Sequence, residues 1–218
     1  MKREDLRGDR LVDPSSAESP SASESRPFRI LLVCHANICR SPMAERITRR
    51  MLRDVFGYAA SAVSVESAGT SAISGDQIHA YSGQILNEWG INCEDFRSRA
   101  LTTVLLDSAD LILAAERTQR AACASLRPAV VRRTFTLHQF ARLAAHAAVH
   151  SSKVSSSVPE SFHALLRLVD RTRHLAPPTQ SRVDDLADPV QRPITEFRTC
   201  AVEIHSSMAA ILRAVDQS

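Results

Sequence analysis

Short apolar runs and amphipathic stretches take turns along this chain. Ile30-Leu31-Leu32-Val33 is continuous and aliphatic, the pattern of a strand covered on both faces. Val63-Ser64-Val65-Glu66-Ser67 alternates and predicts a second strand, closed by an Ala68-Gly69-Thr70 turn. Asp110-Leu111-Ile112-Leu113-Ala114 predicts a third and Arg133-Thr134-Phe135-Thr136-Leu137 a fourth. Helical spacing fills the intervals. Over 42–56, Met43, Ile47, Met51 and Val55, with Ala44, Leu52 and Phe56 beside them, form an apolar face. Glu45, Arg46, Arg49, Arg50 and Arg53 fall on the side expected to face water, and Gly57 ends the helix. A helix over 76–89 turns Ile78, Ile85 and Trp89 inward and stops at Gly90. Others are predicted over 101–106, 116–126, the alanine-rich 138–150, and 159–173, where Phe162, Leu165, Leu166 and Val169 form the apolar side. Pro193 opens the last, in which Ile194, Phe197, Ala201, Ile204, Met208, Ile211 and Val215 recur at spacings of three and four. Strands alternating with helices predict right-handed βαβ units and a parallel sheet, an α/β class with its chemistry at the strands' carboxyl ends.

Composition narrows the function classes. A charged fraction of 23% and a hydrophobic fraction of 44% over 218 residues are those of an ordinary globular protein. A net charge of +3, with no basic stripe interleaved with aromatics, gives no argument for nucleic acid. No apolar run reaches membrane-spanning length, so no membrane insertion is expected, and the N-terminus lacks the apolar core of a signal peptide. Five cysteines without paired spacing argue against a disulfide scaffold and for a reducing compartment, the cytoplasm. His138, His146, His150, His163 and His174 include no His-x3-His pair flanked by further ligands, so no metal site is predicted. Residues 1–26, charged and carrying the run Asp13-Pro14-Ser15-Ser16-Ala17-Glu18-Ser19-Pro20, have little to bury and are predicted to be a disordered tail before a domain spanning 27–218.

Chemistry concentrates where the first strand ends, at Cys34-His35-Ala36-Asn37-Ile38-Cys39-Arg40-Ser41-Pro42. Pro42 suits the first helical position, with Ser41 before it as a cap. The loop between opens on a cysteine and closes on an arginine. It brings backbone N–H groups, a helix N-terminus and a guanidinium to one spot. His35, Ala36, Asn37, Ile38, Cys39, Arg40 and Ser41 would thus cradle an oxyanion such as phosphate. The same surroundings favour the thiolate of Cys34, which is the nucleophilic form. Arg40 adds a bidentate grip that tightens as charge spreads over the phosphoryl oxygens. The inferred chemistry is attack on a phosphate ester through a cysteinyl-phosphate intermediate.

A bare Cys-x5-Arg is weak, but the strand before it, Asn37 inside it and Cys39-Arg40-Ser41-Pro42 after it are specific. With them the chain resembles the low-molecular-weight protein tyrosine phosphatase family, whose hallmark is a Val-Cys-x-x-Asn-x-Cys-Arg-Ser-Pro loop near the start of the domain. Ser67-Ala68-Gly69-Thr70 and Arg97-Ser98-Arg99 extend the likeness, which covers roughly 28–140 and 183–216. It implies a three-layer sandwich around a central four-stranded parallel sheet, with Ser67 supporting the loop through hydrogen bonds. In Val183-Asp184-Asp185-Leu186-Ala187-Asp188-Pro189 the resemblance picks out Asp188, braced by Pro189, as the acid that protonates the leaving oxygen and later the base that activates water. Asp184 and Asp185 are the fallback candidates. The implied activity is hydrolysis of phosphate monoesters, protein phosphotyrosine first, without a cofactor or metal. Its partners would be a phosphorylated protein or a small phosphoester. The alanine- and arginine-rich composition matches a GC-rich, actinobacterial-type bacterial source.

The chain also departs from the family pattern. Val190-Gln191-Arg192 follow the Asp-Pro pair where eukaryotic-type members carry tyrosines, His35 replaces an apolar or small residue, and Ala36 replaces a frequent glycine. The stretch 145–182 is longer than the compact pattern needs, and is expected to be an insertion near the active-site mouth, a lid or a docking surface. Cys39 is either the partner of Cys34 in a reversible disulfide or a packed thiol. Two other functions remain open on the same scaffold. Arsenate reductase would use the anion loop unchanged, but Cys93, Cys123 and Cys200 are scattered, so an external thiol would have to complete its relay. A catalytically silent phosphate-binding module would not need Cys34, Arg40 and Asp188 all intact.

Overall fold

The computed structural model describes residues 26–149, 157–172, 174 and 184–217. In chain order these form β1 (Phe28–Cys34), α1 (Arg40–Phe56), β2 (Val63–Gly69), α2 (Ala80–Glu88), α3 (Thr103–Ser108), β3 (Leu111–Ala114), α4 (Arg117–Leu126), β4 (Thr134–Thr136), α5 (Leu137–Ala148), α6 (Val158–Thr172) and α7 (Ile194–Asp216). Short 3-10 helices cover Gly57–Ala62 and Pro128–Arg133. The sheet runs β2-β1-β3-β4 with every pair parallel. The tail expected over residues 1–26 lies, except for Arg26, outside the described residues. So do the segments 150–156 and 175–183.

The unbroken apolar run of β1 follows from its place in the middle of three layers. Ile30, Leu32 and Cys34 turn to a large core shared with α1, α5, α6 and α7. Leu31 and Val33 turn to a smaller one with Leu106, Ile112, Cys123 and Val130. Successive side chains point to opposite faces, so a strand covered on both must be apolar throughout. The stripe predicted for α7 is likewise buried, with Phe197, Ala201, Ile204, Met208, Ile211 and Val215 all inside. The strand order reverses beside β1, whose neighbours are β2 and β3. A crevice therefore opens at its carboxyl end, and Cys34 is the last residue of that strand.

Local details depart from the sequence pattern for identifiable reasons. Helix α1 begins at Arg40 with Cys39 at its cap position, one turn-fraction earlier than the Ser41-Pro42 start, because the Ser41 hydroxyl is engaged by Cys34 and Asn37. Glu45 is buried rather than wet, and Val55, assigned to the core, is half exposed. Helix α2 starts only at Ala80: Asp76 pairs through its backbone with Ser98, and His79 caps the helix by accepting from the Tyr81 N–H. Trp89, expected inward, lies at the cap after α2 and sets its ring against His205 on the surface.

The expected insertion is corrected in its described part. Phe162 of α6 stacks on Phe28 at 4.8 Å, and Phe162, Leu165 and Val169 are buried. Phe28 starts β1 and Cys34 ends it, roughly 20 Å apart for an extended strand. Helix α6 therefore belongs to the core at the far end of the sheet from the active-site mouth, because its apolar stripe finds its partners there.

Candidate active site

The loop after β1 is shaped by what its carbonyls meet. Thr70 N–H donates to the Cys34 carbonyl at 3.0 Å, Ser71 N–H to that of His35 at 2.9 Å, and His79 N–H to that of Ile38 at 2.8 Å. In a trans peptide the N–H points opposite its carbonyl. The N–H groups of His35, Ala36 and Cys39 are therefore turned to the other side, into the loop. Asn37 sits at φ 55°, a left-handed conformation that asparagine tolerates better than most residues, and its side chain is buried.

Gly69, paired in register with Cys34, makes this packing possible. A Cβ there would lie 2.5 Å from the His35 carbonyl oxygen and 2.8 Å from the Asn37 nitrogen, both backbone atoms. Gly69→Ala is expected to push the loop backbone out of place, costing about 1–3 kcal/mol of stability. A urea-unfolding midpoint and steady-state phosphatase turnover should fall together.

Beneath the loop, Cys34 Sγ lies 2.9 Å from Ser41 Oγ. Asn37 Nδ2 donates to both Ser41 Oγ and Ser67 Oγ, each at 2.9 Å, while Asn37 Oδ1 accepts from the Arg99 N–H at 2.8 Å. The hydroxyl of Ser67 donates to the buried Glu45 carboxylate at 2.6 Å.

Arg40 is only 2% exposed, and its donors are aimed by three partners. Nη1 donates to Glu116 Oε1 at 2.6 Å and to the Leu186 carbonyl at 3.0 Å, and Nη2 to Asp188 Oδ2 at 2.5 Å. The segment carrying Asp188 is pinned to the sheet by Leu186 N–H donating to the Ala115 carbonyl, and Pro189 is buried. Asp188 itself stays accessible, its side chain 36% exposed, and it accepts from the Val190 N–H. The fallback carboxylates point elsewhere: Asp184 is buried against Arg142, and Asp185 pairs with Arg117. Cys34, Arg40 and Asp188 thus converge from β1, the start of α1 and the segment before α7. Glu116 was missed in the sequence. The available signal was an acidic residue just beyond a strand neighbouring β1, the position where α/β sheets place functional groups.

All five cysteines are free thiols. Burial, then the nearby carboxylate of Asp188 and the sulfur of Cys34, pushes the Cys39 thiol up to about 12. Burial pushes Cys123 up to about 11 and raises Cys200 as well. In the unfolded chain such thiols ionise near 9, so as pH rises past that value the unfolded state loses protons that the folded state retains. Stability from these groups is full below pH 9 and is lost from there up to about 11 for Cys123 and about 12 for Cys39. Urea midpoints measured across that range should fall, and Cys123→Ala should make the fall shallower.

A thiol at a strand end, an amide-lined loop above it, a buried guanidinium and an accessible carboxylate together define an enzyme that moves phosphoryl groups through cysteine. Residues 29–173 match the profile of the low molecular weight phosphotyrosine protein phosphatase family. The chain belongs to that family, and it is a phosphatase of this class, working through a cysteinyl-phosphate intermediate. It is 37% identical over 108 residues to the probable low molecular weight protein-tyrosine-phosphatase EpsP of Ralstonia nicotianae, spanning 50% of this chain and 69% of that one. It is 34% identical over 114 residues to a protein-arginine-phosphatase of Geobacillus stearothermophilus, spanning 52% of this chain and 72% of the relative. The solved YwlE arginine phosphatase from Geobacillus stearothermophilus superposes with a TM-score of 0.61 at 25% identity, covering 87% of this chain and 94% of that one. The family match ends before Asp188, which reaches the site through the contacts described above. Among the described residues, no helix is long and apolar enough to cross a membrane.

Proposed function

We propose that Cys34 is the nucleophile, Arg40 the phosphoryl-binding cation and Asp188 the proton donor and acceptor in hydrolysis of protein phosphotyrosine. The observation that carries this reading is the convergence of the three: Cys34 is held by Ser41, the neighbour of Arg40, and Arg40 holds Asp188. An incoming phosphate dianion competes with Asp188 for Nη2 of Arg40 and frees the carboxyl group to face the leaving oxygen. Loop amides and the guanidinium, kept on line by Glu116, take up the charge that develops on the phosphoryl oxygens. Cys34 displaces the alcohol, Asp188 gives the oxygen its proton, and then takes one from the water that attacks the phosphocysteine. His35, Ala36, Asn37, Ile38, Cys39 and Ser41 complete the cradle.

The choice of tyrosine rests on the rim. Ile73 is 73% exposed two residues after Ser71, which is bonded to the loop, and Val190 is 38% exposed two residues after Asp188. These exposed hydrocarbon side chains suit a flat ring better than a solvated guanidinium. Phosphoarginine is the second reading, favoured by the arginine-phosphatase relative and by the absence of tyrosine from 190–192. Action in the cytoplasm agrees with the five free thiols.

The test is turnover of p-nitrophenyl phosphate, a phosphotyrosine peptide and a phosphoarginine peptide with neither metal nor reductant present. We expect kcat/KM for the tyrosine peptide to exceed that for the arginine peptide by about tenfold or more, a difference of ~1.4 kcal/mol in transition-state binding. The reverse order transfers the reading to phosphoarginine. Turnover of none of the three, with arsenate consuming an added thiol, replaces it with the reductase.

A further inference from the structure

Asp184 is a buried carboxylate that the scheme above leaves without a task. It is 5% exposed, and both of its oxygens accept from one nitrogen, Arg142 Nη2 on α5, at 3.2 Å each. Arg142 and Asp184 lie 42 positions apart and bracket the whole excursion of the chain through α6. From this placement we infer a positioning role in the proposed reaction: the Arg142–Asp184 ion pair closes the base of that excursion and fixes the segment that carries Asp188, four residues on.

A buried ion pair is a poor stabiliser, since apolar residues of the same volume often serve as well, but it can set register. The register at stake here is that of a short, irregular segment. Helix α6 is seated by Phe162, Leu165 and Val169 at the far end of the sheet, so the chain comes to Asp184 from a distant part of the core. Without a stop, any tilt of that excursion is passed along to Asp188. Arg142 is a firm post for such a stop, because α5 buries Phe140, Ala141, Leu143 and Ala144 on either side of it in the sequence.

The need is greatest once substrate binds. Arg40 Nη2 holds Asp188 directly, and when phosphate takes that nitrogen the carboxyl group must reach the leaving oxygen with only its backbone to place it. Leu186 then supplies one anchor, its N–H on the Ala115 carbonyl at 2.8 Å and its own carbonyl on Arg40 Nη1 at 3.0 Å. A chain held at one residue still pivots about it; a second hold two residues upstream removes that freedom. Asp185 gives a weaker hold, because its bridge to Arg117 lies at the surface, where water screens it. Misplacing a reacting group by ~1 Å can cost on the order of a hundredfold in rate, so a loosened acid should show in turnover.

This inference rests on Asp188 being the acid, and the experiment separates the two. Steady-state kcat and KM are measured on a phosphotyrosine peptide and on p-nitrophenyl phosphate for Asp184→Leu, Arg142→Gln, Asp188→Ala, and Asp184→Leu combined with Asp188→Ala. Leucine matches aspartate in shape and accepts nothing, and Arg142 is exposed enough for its guanidinium to turn to water. The deciding number is the ratio of the two kcat values, peptide over p-nitrophenyl phosphate, which does not depend on how much of a variant is folded.

Asp184→Leu and Arg142→Gln should each lower kcat on the peptide about tenfold, and much less on p-nitrophenyl phosphate, while KM stays within about twofold. In the Asp188→Ala background Asp184→Leu should change nothing further, since no acid is left to place. A wild-type ratio in either single variant, or losses that multiply with Asp188→Ala, overturn the inference. If neither folds, Asp184→Asn decides, because it keeps the shape and gives up one accepting oxygen, and a wild-type ratio there sinks it. A wild-type ratio in Asp188→Ala defeats the underlying reading instead.

Discussion

Cys34→Ser is expected to lower phosphatase turnover by a factor on the order of 10⁴ or more, with the fold and phosphate binding retained. Serine is close to cysteine in size, and the side chain it replaces is buried at the end of a central strand, where a smaller oxygen fits without displacing the loop. The anion cradle is made by other groups, namely the loop amides and Arg40, so its affinity should survive. Chemistry should not, because a serine hydroxyl at neutral pH is far less ionised than a thiol and is a correspondingly weaker nucleophile and poorer leaving group. Calorimetric titration with inorganic phosphate, beside steady-state turnover of p-nitrophenyl phosphate, separates the two. Retained binding with lost turnover is the expected pattern, and near-wild-type turnover would remove the covalent mechanism.

How far the sequence reaches toward this site depends on how local the determining contacts are. β1 and the loop are legible because their constraints are contiguous: a strand buried on both faces must be apolar throughout, and the loop's cysteine, asparagine and arginine lie within seven positions. The α7 stripe is legible for the same reason. Glu45 is not. Helical periodicity places it among arginines on a face that looks wet, but β2 brings Ser67 over that face and the carboxylate is enclosed. The three carboxylates at 184, 185 and 188 are equally acidic in the sequence. Only their distant arginines, Arg142, Arg117 and Arg40, assign them to separate tasks. Helix α6 looked like an insertion by length and composition, and its place was decided by Phe28, more than a hundred residues earlier. Periodicity finds the elements; pairings between remote residues decide which polar groups meet.

Asp188 offers the sharpest use of that distinction. Asp188→Ala is expected to cut kcat about 10²–10⁴-fold on a phosphotyrosine peptide, the range supplied by a positioned general acid. Tyrosine is a poor leaving group, with a free phenol that ionises near pH ~10, so its departure depends on a proton. The more acidic p-nitrophenol leaves with less help, and its loss should be visibly smaller. In that reaction the second step suffers too, because no carboxylate remains to take the proton from water. Rapid-quench experiments should then show a burst of p-nitrophenol and phosphate held on the protein. Removing Asp188 also relieves Arg40 of a competitor, so inorganic phosphate should bind at least as tightly as in the wild type. Asp185→Ala is the internal control, since Asp185 pairs with Arg117 at the surface, where solvent screens such a bridge, and its turnover should be near normal. An Asp188→Ala loss equal for both leaving groups, with no burst, would leave the carboxylate a partner of Arg40 and nothing more.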